Sequence, residues 1–207
     1  MKKSVSSKIA FVLLLLLTVN SFAQDSNKDI QSAFSKSYEY EYTYKYDEAI
    51  KVLQTVATSS PYEVNIRLGW LNYLKGEHTQ SVAFYKKAIV SNPASIEARI
   101  GIANPLSYLG NWDEIIVQYD AILKADSKNY TANYRLALIY YNSKKSTKAI
   151  TYINTISALY PFDYDVNLLA SKINIVLGNI TQAKNTLNKC LLYNPSATEA
   201  LELYNKL

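Results

Sequence analysis

The chain has one cysteine and one histidine in 207 residues, five glycines and five prolines. Each shortage excludes something. A lone thiol cannot build an internal disulfide framework, and a lone imidazole cannot anchor a histidine-rich metal site. Glycine and proline this sparse rule out a collagen-like or low-complexity chain. Long apolar runs are missing too: the one stretch, Ile9 to Val19, covers about half of a bilayer core, so this is no multi-pass membrane protein. Charge of one sign is also scarce. The formal net charge is +5, but Lys2, Lys3 and Lys8 all precede the body of the chain. The other 19 basic and 17 acidic side chains nearly cancel, which excludes a nucleic-acid polyelectrolyte. No GxxxxGK phosphate loop occurs; Gly69 and Gly76 read as a helix-packing and a turn residue. What is plentiful is apolar content, at 49%, and tyrosine, with 19 copies. That composition suits a folded body.

The N-terminus has its own grammar. MKKSVSSK is basic, IAFVLLLLLTV is apolar, and NSFAQD is polar, with small residues at Ser21 and Ala23. This is the pattern of a signal peptide over residues 1–23, cleaved to leave Gln24, and an uncleaved anchor is the weaker alternative. No cysteine stands at the cleavage point, so lipid attachment there is excluded. The leader ending in FAQ resembles those of exported Bacteroidetes proteins. That resemblance implies a periplasmic or peripherally envelope-associated protein.

The body repeats. Pro93, Pro161 and Pro195 fall on a grid of 34 residues with Ser127 in the open place. Gly76, Gly110, Lys144 and Gly178 keep the same period, as do Ser81, Ile115, Ala149 and Ala183, and Ala88, Ile122, Ile156 and Cys190. Four columns in one register define repeats at 62–95, 96–129, 130–163 and 164–197, and a shorter one at 30–61 closes on Pro61. A short lead-in (24–29) precedes them and a capping segment (198–207) follows. Each repeat reads as two helices: NIRLGWLNYL, a break at Lys75-Gly76-Glu77, then TQSVAFYKKAIV ending at Ser91-Asn92-Pro93. One hairpin cannot bury its own apolar stripe, whereas stacked copies can. The expected fold is therefore all-α, a right-handed superhelical solenoid of antiparallel helix pairs.

Leu68-Gly69, Gly76, Ser81, Tyr85, Ala88 and Pro93 follow the pattern of the tetratricopeptide repeat, and this chain resembles that family. Supporting positions are Ala103, Gly110 and Tyr119, then Leu136-Ala137, Tyr140, Ala149 and Pro161, then Ala170, Gly178, Ala183, Cys190 and Pro195, with Tyr40, Ala49 and Pro61 in the first repeat. The small residues Ala49, Ser81, Ala149 and Ala183 belong where two helices cross closely, and Ile115 departs from that rule. Pro105 falls inside a first helix, where a kink or an early break is expected, eased by the absence of a side chain on Gly101.

The resemblance implies that first helices line a concave groove. In register these positions are Phe34, Tyr38 and Tyr42; Ile66, Trp70 and Tyr73; Ile100, Asn104 and Tyr108; Tyr134, Leu138 and Tyr141; and Leu168, Lys172 and Ile175. Such an aromatic groove suits a protein or peptide segment. Some family members clamp a chaperone's terminal carboxylate. Here Arg67, Asn104 and Arg135 are near the right places, but Phe34 and Ile100 stand where lysines are needed. Arg67, Arg99 and Arg135 then read as solvated or internally paired charges, with a grip on acidic groups of another partner as the weaker alternative. Cys190 reads as a buried small hydrophobe and His78 as a lone exposed imidazole in a turn without a nucleophile. Asp47-Glu48 and Asp113-Glu114 open second helices, where they complement the helix dipole.

The expectation is a non-enzymatic interaction scaffold, without cofactor, metal or nucleic-acid partner, in an envelope complex of unknown composition. Two alternatives stand beside it. One is a structural accessory subunit of an outer-membrane or secretion assembly that uses the convex face and ends. The other is a glycan-binding or enzymatic role.

Overall fold

The computed structural model describes residues 27–58 and 61–207, and the leader read at residues 1–23 lies outside them. Every regular element among the described residues is an α-helix. The described residues fall into two compact units, divided between Leu109 and Gly110. The first holds α1 (27–42), α2 (Tyr46–Gln54), α3 (Pro61–Leu74), α4 (His78–Ser91) and α5 (Ile96–Tyr108). The second holds α6 (Trp112–Ala125), α7 (Tyr130–Asn142), α8 (Ser146–Leu159), α9 (Tyr164–Val176), α10 (Ile180–Tyr193) and α11 (Thr198–Asn205). Within each unit consecutive helices pack as antiparallel neighbours, which makes the fold all-α as the period requires.

The turn inside each repeat needs one residue in the left-handed region. Gly76, Gly110 and Gly178 supply it at φ 86°, 73° and 75°, but Tyr44 and Lys144 take φ 59° at the matching places. The residue after it closes the helix with a six-residue bond: Lys45 N–H to Tyr40 O, Glu77 to Asn72, Lys145 to Tyr140 and Asn179 to Asn174, all 2.8 Å. Such a bond satisfies an orphaned carbonyl, which is why two side chains are tolerated where glycine fits better.

Three first helices start under a side-chain cap. Ser95, Asn129 and Asp163 accept the N–H groups of Ala98, Ala132 and Val166 at 3.0, 3.1 and 2.9 Å. Arg99, Asn133 and Asn167 share one grid column, and each donates to the carbonyl six residues earlier, on Pro93, Ser127 and Pro161 at 2.9, 3.1 and 3.2 Å. This lock fixes the turn that joins one repeat to the next. Arg99 is accordingly tied down locally.

At the helix crossings Ala49, Ala149 and Ala183 are wholly buried, and buried Ser81 donates its hydroxyl to the Gly69 carbonyl at 2.6 Å. At Pro105 the early break does not occur. Helix α5 does not stop there but continues to Tyr108, with Pro105 buried inside it. The missing N–H costs one bond, and Gly101, the residue opposite it, has no side chain to add to the crowding. At the far end α11 caps the second unit: Ala200 is buried beside Leu168, Leu187 and Cys190, with Leu203 and Tyr204 packed against them. Leu201 is turned outward, 37% exposed.

Candidate functional site

The site builds up from α3 of the first unit. Its residues Val64, Leu68 and Leu71 are buried with Ala33, Ala49 and Leu53, which docks the helix on α1 and α2. That placement carries Arg67 inward until it is only 6% exposed. A guanidinium cannot be left there alone, and α1 meets it with three side chains. Nε donates to Ser37 Oγ at 2.9 Å, Nη1 pairs with Glu41 Oε2, and the guanidinium lies over the Tyr38 ring at 3.9 Å. Glu41 accepts from Trp70 Nε1 as well, at 2.8 Å, so a single carboxylate holds both the arginine and the indole in place. Arg67 Nη2 remains buried with no partner.

Above this pair opens a pocket of about 780 Å³. Phe34 and Tyr38 form one wall, Ile66, Arg67 and Trp70 the floor, and Ile96, Ile100 and Asn104 the opposite wall. Tyr62, Glu63 and Glu97 stand at the rim, where the Tyr62 hydroxyl bonds to Ser95 Oγ at 2.6 Å and donates to Glu97 Oε2 at 3.3 Å. Tyr85 reaches in from α4 between two glycines. A Cβ on Gly69 would lie 2.8 Å from its Cδ2, and one on Gly101 would lie 2.4 Å from its Cε1. Both are closer than a real contact allows, so the seat of the Tyr85 ring depends on these two residues having no side chain. Burial pushes the Tyr85 phenol up, which keeps it neutral.

Of the positions read as a groove, Phe34, Tyr38, Ile66, Trp70, Ile100 and Asn104 thus line one pocket. Tyr42, 88% exposed, lies beyond it, beside Tyr44, Tyr46 and the other edge of Trp70. Tyr73 and Tyr108 join a neighbouring cluster, linked to the pocket by the Tyr73 ring 5.6 Å from Trp70. Their rings are 5.8 Å apart, and His78 stacks on Tyr108 at 4.4 Å with 23° between planes. Burial first, then the Tyr108 hydroxyl, hold the Tyr73 phenol above its ordinary value. This corrects the reading of His78 as a lone exposed imidazole. It opens α4, is half-buried against two tyrosines, and its Nδ1 is buried without a partner.

In the second unit Tyr134 stacks on Tyr130 at 6.0 Å with only 5° between planes, while Leu138 and Tyr141 are half-buried. Burial and the nearby Asp163 carboxylate push Tyr130 up to about 12. Lys172 pairs with Glu199 of α11 at 2.6 Å, and Ile175 is half-buried. Leu168, 9% exposed, belongs to the core under α11 and not to an open surface. Cys190 is buried, with Sγ 3.7 Å from the Tyr164 carbonyl oxygen, and burial raises its thiol to about 11. Among the described residues no cluster of His, Cys, Asp or Glu could hold a metal ion, and no helix is long and apolar enough to cross a membrane.

The profile of the tetratricopeptide repeat matches residues 36–96 and 101–164, more than half of the chain. The chain belongs to the tetratricopeptide repeat family. Tetratricopeptide repeats form a non-catalytic scaffold whose stacked helices present surfaces to other proteins. A solved tetratricopeptide repeat protein from Parabacteroides merdae is similar over 86% of this chain and 72% of that one, with a TM-score of 0.74 and 16% identity. MamA from Desulfovibrio magneticus is similar over 82% of this chain and 97% of its own, at TM-score 0.68 and 16% identity. Identities this low show the fold alone. DnaJ homolog subfamily C member 3 from Gallus gallus is 26% identical over 123 residues, 59% of this chain but only 24% of that protein. The tetratricopeptide repeats themselves thus account for the architecture, and the pocket of the first unit is where this chain has individual chemistry.

Proposed function

We propose that this protein is a non-enzymatic scaffold of the cell envelope, exported through its N-terminal leader, that holds a segment of a partner polypeptide in the pocket between α1, α3 and α5. The observation that carries this reading is the pocket itself: apolar and aromatic walls around a buried guanidinium that retains an unused donor. Pockets of several hundred cubic ångströms with few polar groups are suited to apolar side chains, and the rigid rings lose little entropy on contact. The exposed aromatic turns of the second unit support a second reading, a structural subunit of an envelope assembly. There Phe162 and Tyr193 lie 5.6 Å apart, both more than half exposed.

One experiment separates the two. The full chain, tagged at its C-terminus and expressed in its own host, is crosslinked and captured beside a Trp70→Ala variant whose helicity is confirmed by circular dichroism. Fractionation of the same cells reports whether it reaches the envelope. A dominant partner lost from the variant supports the pocket. A partner retained by both variants overturns it and moves the function to the exposed turns.

A further inference from the structure

The charges around the pocket narrow the kind of segment it takes. Arg67 is the cation among the lining residues, and Glu41 already meets its charge while Ser37 and Tyr38 occupy two more of its faces. Its remaining donor, Nη2, is buried and unpaired. A neutral carbonyl oxygen satisfies that donor without adding charge. An incoming carboxylate would bring a second anion against Glu41 in a desolvated place, which costs more than it returns. At the rim Glu97 presents an exposed carboxylate, which accepts there from a neutral group, the Tyr62 hydroxyl. The walls below, Phe34, Ile66, Ile96 and Ile100, offer only apolar surface.

We propose that the pocket selects a polypeptide segment that places an apolar or aromatic side chain next to a basic residue. The apolar group fills the space between α1 and α5, a backbone carbonyl of the segment accepts from Arg67 Nη2, and the basic group reaches the Glu97 carboxylate at the rim. This rests on the peptide-binding reading above and deepens it by naming the chemistry of the partner. It is the reverse of a carboxylate clamp: the protein supplies the anion and the ligand the cation.

The test uses three fluorescent peptides with blocked ends, each carrying the same central Phe-Leu pair flanked on both sides by Lys, by Gln or by Glu. Binding to the full chain is read by anisotropy at about 50 mM and 300 mM salt. The Lys-flanked peptide is expected to bind about tenfold more tightly than the Glu-flanked one at low salt, with the Gln-flanked peptide between them. Glu97→Gln preserves the bond from Tyr62 and narrows that ratio to about threefold or less, and high salt does the same. Arg67→Lys keeps the charge opposite Glu41 but removes the spare N–H, so it weakens all three peptides by a similar factor of about three to ten. Its folding is checked by circular dichroism.

Equal binding of all three peptides, or a preference for Glu, overturns the proposal. If Trp70→Ala still abolishes that binding, the pocket reading survives and only the choice of partner falls. If no peptide binds in a Trp70-dependent way, both fall together.

Discussion

The two units are built on one grid and have diverged at the same positions. The column that begins at Arg67 continues through Gly101 to Arg135 and Leu169, and even its two arginines end in different surroundings. In the first unit Arg67 turns inward and Gly101 makes room for Tyr85, and together they shape a pocket. In the second unit Arg135 is exposed and Leu169 is buried core. The turn chemistry, by contrast, is common to both units: Arg99 and the Tyr62–Ser95 pair serve the first as the following contacts serve the second. Asn133 and Asn167 lock the joints between repeats, and the Tyr130 hydroxyl donates to the capping residue Asp163 at 3.2 Å. The lesson is that a repeat specifies where helices go, while each column is free to become a site, a lock or plain core.

The largest way to break this difference is at Glu41. Glu41→Ala leaves the Arg67 guanidinium buried without its counterion, and urea unfolding should show a loss of about 3 kcal/mol. Next comes the column itself. Gly101→Ala presses a methyl group into the Tyr85 ring and should cost about 1–3 kcal/mol despite the better helix propensity of alanine. Arg135→Ala, at the same grid position in the second unit, should stay within about 0.5 kcal/mol in the same denaturation experiment. Asn167→Ala removes two bonds to the turn, to Pro161 and Asp163, and should cost about 1–2 kcal/mol; its effect belongs to the second unit.

Smaller effects sharpen the comparison. Lys144→Gly relieves a side chain held at φ 59° and should stabilise by about 0.5–1 kcal/mol after the added chain entropy is subtracted. Cys190 gives a signal confined to high pH. Its folded thiol titrates at about 11, above the ordinary value of 9, so the unfolded chain loses its proton first as pH rises. Stability should therefore fall between about pH 9 and 11, and Cys190→Ala should flatten that part of the pH profile. At neutral pH the native thiol should resist alkylation until the chain is unfolded.

The period was legible because it is carried by residue classes with a mechanical reason: small at crossings, glycine at turns, proline after helices. The exceptions were legible as positions but not as outcomes. Nothing local in Lys144 states that a six-residue bond will hold it at positive φ, and Pro105 alone does not tell that α5 runs through it. The site was half legible. Register placed Phe34, Tyr38, Ile66, Trp70 and Asn104 on first helices, but the same register placed Leu168 there, which the capping helix buries. The column of Trp70, Asn104, Leu138 and Lys172 holds four chemistries, so position alone cannot say which member meets a partner. The Arg67 network joins residues 26 to 30 positions apart with no repeat of its own in the sequence, and Tyr85 depends on glycines from two other helices. The locks at Arg99, Asn133 and Asn167 went unread because what they share is a backbone carbonyl six residues back, which one Arg and two Asn reach equally well.

One consequence of the Arg67 contacts concerns motion. Ser37, Tyr38 and Glu41 all belong to α1, so the pocket keeps its shape only while that helix stays docked. Anything that occupies the pocket therefore favours the closed state of α1 over its locally opened state, by mass action and without touching most of the helix. Amide hydrogens along α1 become a gauge of occupancy: their exchange slows in proportion to the fraction bound, even where the ligand makes no contact.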